Sequence, residues 1–285
     1  DLGNNGGYDI CVIKLDAKLQ VKWKKNYGGT DWDFGNYIQQ TSDGGYIICG
    51  GTYSYGKGDE DYFLIKTDAA GDTLWTRTYG GPFQDEAKSV RETSDGGYIL
   101  TGFSMSKDTL GDFYTVKTNS IGDTVWTNTF GGTKADFAND IIEVQGGGYV
   151  VGGETQSIGS GKSDGIALEI TTLGQSGRTF LGGGKEDDKI VSLTQRKDGK
   201  IAFAGTTFSY GLPKGDVYFG IISHDLFFNF STTYGSNGKE TVGSVACTAD
   251  KGFIICGTTN GFRNFLDDIY LIKTDSTGFS TSSEK

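Results

Sequence analysis

The chain repeats itself every 51 or 52 residues, and this period limits its fold more than any other property of the sequence. An Asp opens an apolar stretch at Asp9, Asp61, Asp112, Asp164, Asp216 and Asp268, in steps of 52, 51, 52, 52 and 52. A second marker, the turn S-D-G-G-Y and its variants, recurs at Asp43, Asp95, Gly146, Asp198 and Asp250, in steps of 52, 51, 52 and 52. Self-similarity at a fixed period of this size belongs to propellers, solenoids and repeat arrays, in which each copy is one supersecondary unit. It also accounts for many conspicuous residues as structural devices before any chemistry is invoked.

The second copy shows what the unit contains. Residues 61–68, D-Y-F-L-I-K-T-D, are apolar on both faces of a strand, and residues 73–79, T-L-W-T-R-T-Y, put Trp75, Arg77 and Tyr79 on one face by the two-residue period of β-structure. Residues 87–94 read as a more polar third strand and 98–103 as a fourth. No segment carries a 3.6-residue period, so almost no helix is expected. Four short strands with Gly-rich turns, repeated, describe a propeller blade. Strands apolar on both faces need cover on both sides, which stacked blades provide.

The turns have a mechanism. Gly44-Gly45, Gly96-Gly97 and Gly147-Gly148 suit a two-residue type I′ hairpin, which needs two residues at positive φ. Gly199-Lys200 and Lys251-Gly252 are worn versions. A large pair recurs on the outer strand as Trp23/Tyr27, Trp75/Tyr79, Trp126/Phe130 and Phe230/Tyr234, while the fourth copy reads Gly177/Leu181. Such rings are inter-blade wedges, so the fourth copy is expected to pack least well. Trp75→Ala is expected to cost about 3–5 kcal/mol as a buried large-to-small change.

The patterns D-Y-F-L-I-K-T-D-x-x-G-D-x-x-W at 61–75 and T-S-D-G-G-Y-I at 41–47 resemble the β-propeller repeats of secreted and surface-anchored bacterial proteins, those of Bacteroidetes above all. There is also similarity to kelch-like and quinoprotein-like propeller repeats, the G-x-x-x-W element being similar to the tryptophan-docking motif of the latter. The resemblance implies an extracellular or cell-surface protein. The expected fold class is all-β, a β-propeller of four-stranded blades over residues 1–278 with a short tail at 279–285. Five blades are favoured, an N-terminal strand completing the last as a clasp; six is the alternative if sequence is missing upstream.

Composition narrows the partners. The net charge of −10 and the absence of a Lys/Arg cluster argue against nucleic acid, and no apolar run approaches the 18 residues of a membrane-spanning helix. Aromatics make up 13% of the chain, enough material for a core.

Candidate sites follow from the repeat. Ten residues before each turn marker lie Asp33, Asp85, Asp136, Asp188 and Glu240, an acidic crown on one rim of the expected axial channel. As a functional set they would bind a cation, calcium being the cofactor candidate, or a polyol. As a structural set they would accept backbone N–H bonds in a repeated turn, and recurrence in every copy favours this second reading. Glu92 and Glu143 are the paired carboxylates expected to line the channel and are the basis of an alternative function, glycan processing, which needs two carboxylates about 5–9.5 Å apart. The acidic run at 57–61 is read as a solvated loop, because it lacks the glycine and closing Glu of an EF-hand.

Loop aromatics are the contact candidates: Tyr53 and Tyr55, with Phe208, Tyr210, Phe262 and Phe265 in later copies, and Trp32, assigned to the opposite set of loops. Their alternative is to fold back on their own blades. Four cysteines form no C-x-x-C pair and His224 stands alone as a histidine, so zinc ligation and a Ser-His-Asp triad lack material. A two-residue turn at Lys251-Gly252 would set Cys247 opposite Cys256, though buried free thiols are the preferred reading. Together these readings point to a non-enzymatic recognition or scaffold module with no cofactor of its own, binding a protein or glycan at one end of the propeller axis.

Overall fold

The computed structural model describes residues 6–106, 110–261 and 266–280, and every regular element among them is a strand. No helix of the described residues is long and apolar enough to cross a membrane. The strands form antiparallel sheets in chain order. The first has two strands, β1 (Ile10–Leu15) and β2 (Val21–Tyr27). Four complete sheets follow. They comprise β3 (Asp33–Gln40), β4 (Tyr46–Thr52), β5 (Asp61–Thr67) and β6 (Thr73–Tyr79); β7 (Asp85–Glu92), β8 (Tyr98–Ser104), β9 (Asp112–Thr118) and β10 (Thr124–Phe130); β11 (Asp136–Glu143), β12 (Tyr149–Thr155), β13 (Asp164–Ile170) and β14 (Ser176–Gly182); and β15 (Asp188–Gln195), β16 (Ile201–Thr207), β17 (Asp216–Ile222) and β18 (Phe228–Tyr234). The last sheet has three strands, β19 (Glu240–Cys247), β20 (Phe253–Thr259) and β21 (Asp268–Thr274). The described sheets therefore number six, four of them complete.

The sequence period does not coincide with a sheet. A copy that starts at Asp61 gives its first two strands, β5 and β6, to one sheet and its next two, β7 and β8, to the following one. The chain falls into two compact units, Asp1–Phe130 and Gly131–Lys285. Within the first, Ile10 and Tyr27 of the two-stranded sheet pack on Ile48, Phe63 and Ile65. The opposite face of β4 and β5, carrying Ile47, Cys49, Tyr62 and Leu64, packs on Val90, Leu100 and Val116 of the next sheet. This double cover is why β4 and β5 are buried at every position. The second unit repeats the arrangement, with Val150 and Ala167 against Leu193, Phe203 and Tyr218, and Val217, Phe219 and Ile221 against Val245, Phe253 and Ile255.

The turn between the first two strands of a blade is longer than a two-residue hairpin. Gln40 pairs with Tyr46, and Thr41 N–H donates to Gly45 O at 2.9 Å while Gly44 N–H donates to Thr41 O at 2.9 Å. Only Gly44 takes positive φ, at 84°. Gly45 is small for another reason: a Cβ there would lie 2.1 Å from Thr67 O. The five-residue turn also separates the cysteines of the last sheet. Cys247 pairs with Phe253, and Cys256 lies opposite Ser244, so the Cys247–Cys256 pairing is ruled out by register. None of the four cysteines is in a disulfide, and only Cys49 of the four is buried.

The fourth outer strand corrects a second expectation. Gly165 pairs with Gly182 where Tyr62 pairs with Tyr79, so Arg178 and Gly182, not Gly177 and Leu181, stand where Trp75 and Tyr79 do.

Candidate functional site

The crown acids begin β3, β7, β11, β15 and β19, and their side chains are at most 2% exposed. Each of the four aspartates ties the loop before its strand to the loop after the next. Asp33 Oδ2 accepts from Gly29 N–H and Ser54 Oγ–H, both at 2.8 Å. Asp85 Oδ2 accepts from Gly81 N–H and Ser106 Oγ–H, both at 2.7 Å. Asp136 Oδ2 accepts from Gly132 N–H at 3.0 Å and Ser157 Oγ–H at 2.7 Å. Asp188 Oδ2 accepts from Gly184 N–H at 2.8 Å and Ser209 Oγ–H at 2.6 Å. Glu240, one methylene longer, accepts instead from Ser236 at 2.5 Å and Thr259 at 2.6 Å. The serine partners were not singled out from sequence. Their signal was there: Thr52-x-Ser54, Ser104-x-Ser106, Thr155-x-Ser157 and Thr207-x-Ser209 recur with the same period.

The Asp that opens the third strand has a related task. Asp61 Oδ2 accepts from the amides of Lys57 at 2.6 Å and Gly58 at 3.1 Å, Asp164 from Ser160 at 2.6 Å, and Asp216 from Leu212 at 2.7 Å. The run at 57–61 is therefore no solvated loop at its end: Glu60 and Asp61 are buried, and Glu60 accepts from Tyr53 Oη at 3.1 Å and Gln84 Nε2 at 3.0 Å. Burial raises the pKa of Glu60. Burial also raises those of Asp164 and Asp216, with the charges of Asp188 and Glu240 adding to it. Among the described residues no group of three or more His, Cys, Asp or Glu side chains is placed to hold a metal ion.

Glu92 and Glu143 end strands in separate units. Glu92 holds the turn of the preceding blade, Oε2 accepting from Ser42 N–H and Oε1 from Ser42 Oγ–H, both at 2.7 Å. Gln195 does the same in the second unit, taking the amide of Gln145 at 2.8 Å. His224 sits on a turn with Nε2 2.8 Å from Gln145 O.

The loop aromatics divide into two groups. Tyr55 and Tyr210 fold back, their hydroxyls donating to the carbonyls of Gly28, at 3.0 Å, and Gly183. Tyr53 does not. The pairing of Asp33 with Thr52 brings Trp32 beside Tyr53, with Tyr53 N–H donating to Trp32 O at 2.8 Å. Trp32 thus belongs to the same end as Tyr53, not the opposite one. Its ring lies 6.5 Å from Tyr53, 6.4 Å from Phe34 and 5.8 Å from Tyr8, all edge-on. Trp32 is 50% exposed, Phe34 and Tyr53 39% each and Tyr8 68%, which makes a continuous aromatic patch on the first unit. Phe34 and Tyr8 carried no signal of their own in the sequence. Phe262 and Phe265 lie outside the described residues.

Comparison with known proteins places this geometry among β-propellers. No family model matches the chain. The Regulatory protein FlaEY of Caulobacter vibrioides is 23% identical over 96% of the chain, which spans only 30% of that protein's length. Among solved structures, puromycin hydrolase is similar with a TM-score of 0.54 at 12% identity, over 88% of this chain and 39% of that one. Sqt1 from Chaetomium thermophilum is similar with a TM-score of 0.53 at 13% identity, over 96% and 64%. These likenesses bear on the fold alone: an all-β chain of repeated propeller blades.

Proposed function

We propose that the chain is a non-enzymatic recognition or scaffold module that takes a protein or glycan ligand on the patch formed by Tyr8, Trp32, Phe34 and Tyr53. The observation that carries this reading is the exposure of four rings that meet at Trp32. Trp and Tyr supply large contact area at low conformational cost and dominate binding hot spots. The repeated acids support the same reading, because each gives at least one carboxylate oxygen to the loops of the fold. Glycosidase chemistry needs a free carboxylate on each side of the scissile bond, and Glu92 has both oxygens engaged by Ser42.

The test is a glycan array and a protein pull-down run beside a panel of chromogenic glycosides. Binding without turnover is expected, with Trp32→Ala weakening it by about 30-fold, the loss of one hot-spot side chain. Turnover abolished by Glu92→Gln or Glu143→Gln would overturn the proposal in favour of the enzyme.

A further inference from the structure

The rung after each leading Asp is the same structural position in every copy. It holds Ile10 with Tyr27, Tyr62 with Tyr79, Phe113 with Phe130 and Val217 with Tyr234. In the fourth copy it holds Gly165 with Gly182. The tyrosines of this rung plug the cleft to the next sheet. Tyr27 Oη–H donates to Gly71 O at 2.7 Å, Tyr79 Oη–H to Gly122 O at 2.6 Å, and Tyr234 Oη–H to Gly278 O. In the fourth copy the matching carbonyl is that of Leu226, and Gly182 has no ring to send towards it.

The cleft volumes follow. The one beside Tyr79, lined also by Tyr114 and Thr124, measures about 220 Å³. Its counterpart beside Gly182, lined also by Phe180, Leu181, Tyr210, Tyr218 and Phe228, measures about 600 Å³. Phe180 leans part of the way across: a Cβ on Gly182 would lie 2.9 Å from its ring and 3.0 Å from Tyr218 Oη. The rings of Phe180 and Phe228 both line the cleft and are within 5° of parallel with centroids 6.4 Å apart, stacked on each other with no room for a third ring between them. Tyr218 brings a hydroxyl to the Gly182 end. A concave, aromatic-walled space with few polar groups is the usual form of a small-molecule site.

We propose that this cleft binds a small monocyclic phenol. An aromatic lining favours a planar ring, and other copies of the repeat seat a phenol at the same rung with its hydroxyl on a main-chain carbonyl. The site is in the second unit, independent of the aromatic patch.

The probe is p-cresol, with cyclohexanol and methyl β-glucoside as controls, read by ligand-observed NMR and by melting temperature. For the native chain, p-cresol should give a saturable signal and raise the melting temperature. Gly182→Tyr, which supplies the ring covalently once Phe180 swings aside, should weaken p-cresol by at least about tenfold. Phe228→Ala removes an exposed wall and should weaken binding without loss of fold; it decides the matter should Gly182→Tyr fail to fold. No p-cresol signal, equal signals from the native chain and both variants, or equal binding of either control would overturn the proposal. Trp32→Ala should leave the phenol response intact, so this inference and the patch reading fail separately.

Discussion

Single residues in this repeat answer to the backbone before they answer to a ligand. The position held by Gly44, Gly96 and Gly199 at positive φ carries Lys251 at 68° in the last turn. The left-handed conformation costs a side-chain-bearing residue about 1–2 kcal/mol, and part of the relief from glycine returns as unfolded-chain entropy. Lys251→Gly is therefore expected to stabilise by about 1 kcal/mol in a urea titration. Leu226 is also left-handed, at 60°, yet its side chain is buried with Phe180, Phe203 and Tyr218. Leu226→Gly should lose about 2 kcal/mol, because lost burial outweighs relieved strain. The aspartates that recur in every copy were legible as turn acceptors because period alone exposed them. Trp32 was assigned to the wrong end because neither its own neighbours in sequence nor the period says which loops meet; that depends on the register of β3 with β4.

At the scale of the strand, sequence and structure agree where side chains alternate or both faces are apolar. The third strand of each complete blade begins at the marker Asp, and β4 and β5 are buried throughout as their two-sided apolar character requires. Legibility fails where register departs from ideal pairing. A bulge sits between Leu168 and Ile170 against β14 as in the other copies; the fourth copy keeps Phe180 but has no ring at the Trp75 and Tyr79 positions, so a residue-for-residue alignment of the worn copy slides by one. At the shared rung the fourth copy carries the paired glycines Gly165 and Gly182. Strands β3, β7, β11, β15 and β19 each carry a bulge as well. In two copies the extra residue is an Asn that ties to the next blade, Asn36 Nδ2–H donating to Ala87 O and Asn139 Nδ2–H to Ile190 O, both at 2.8 Å. Trp75 is only partly buried against Tyr98, with centroids 5.8 Å apart. The cost of Trp75→Ala is accordingly revised to about 2 kcal/mol, below the range for a fully buried ring; a shift of the urea midpoint equivalent to less than half of that would remove Trp75 as a wedge.

The whole molecule's response to pH follows from two opposed sets of carboxylates. Lys66 holds the pKa of Asp43 at about 2 by hydrogen bonding, and that of Asp95 is also at about 2, burial being outweighed by hydrogen bonds from Thr93 and Lys117. A folded value below the unfolded 3.8 stabilises the fold while the group is ionised, so this contribution is present above about pH 4 and is lost as pH falls towards about 2. Glu60, Asp164 and Asp216 run the other way. Their raised values make the folded state bind protons more readily, so stability grows as pH falls through them. Acidification also relieves the net charge of −10. The melting temperature should be higher at pH 5 than at pH 7.5 and should drop steeply below about pH 4; a profile that falls steadily from pH 7.5 would contradict this assignment.

The exchange of Tyr79 for Gly182 at one shared rung has an evolutionary corollary. Where a single side chain is the stopper between neighbouring modules, one codon can convert a sealed joint into a socket without shifting a strand. Tandem duplication thus hands such a protein a row of interchangeable cups, each able to acquire a new guest while its siblings keep the framework rigid.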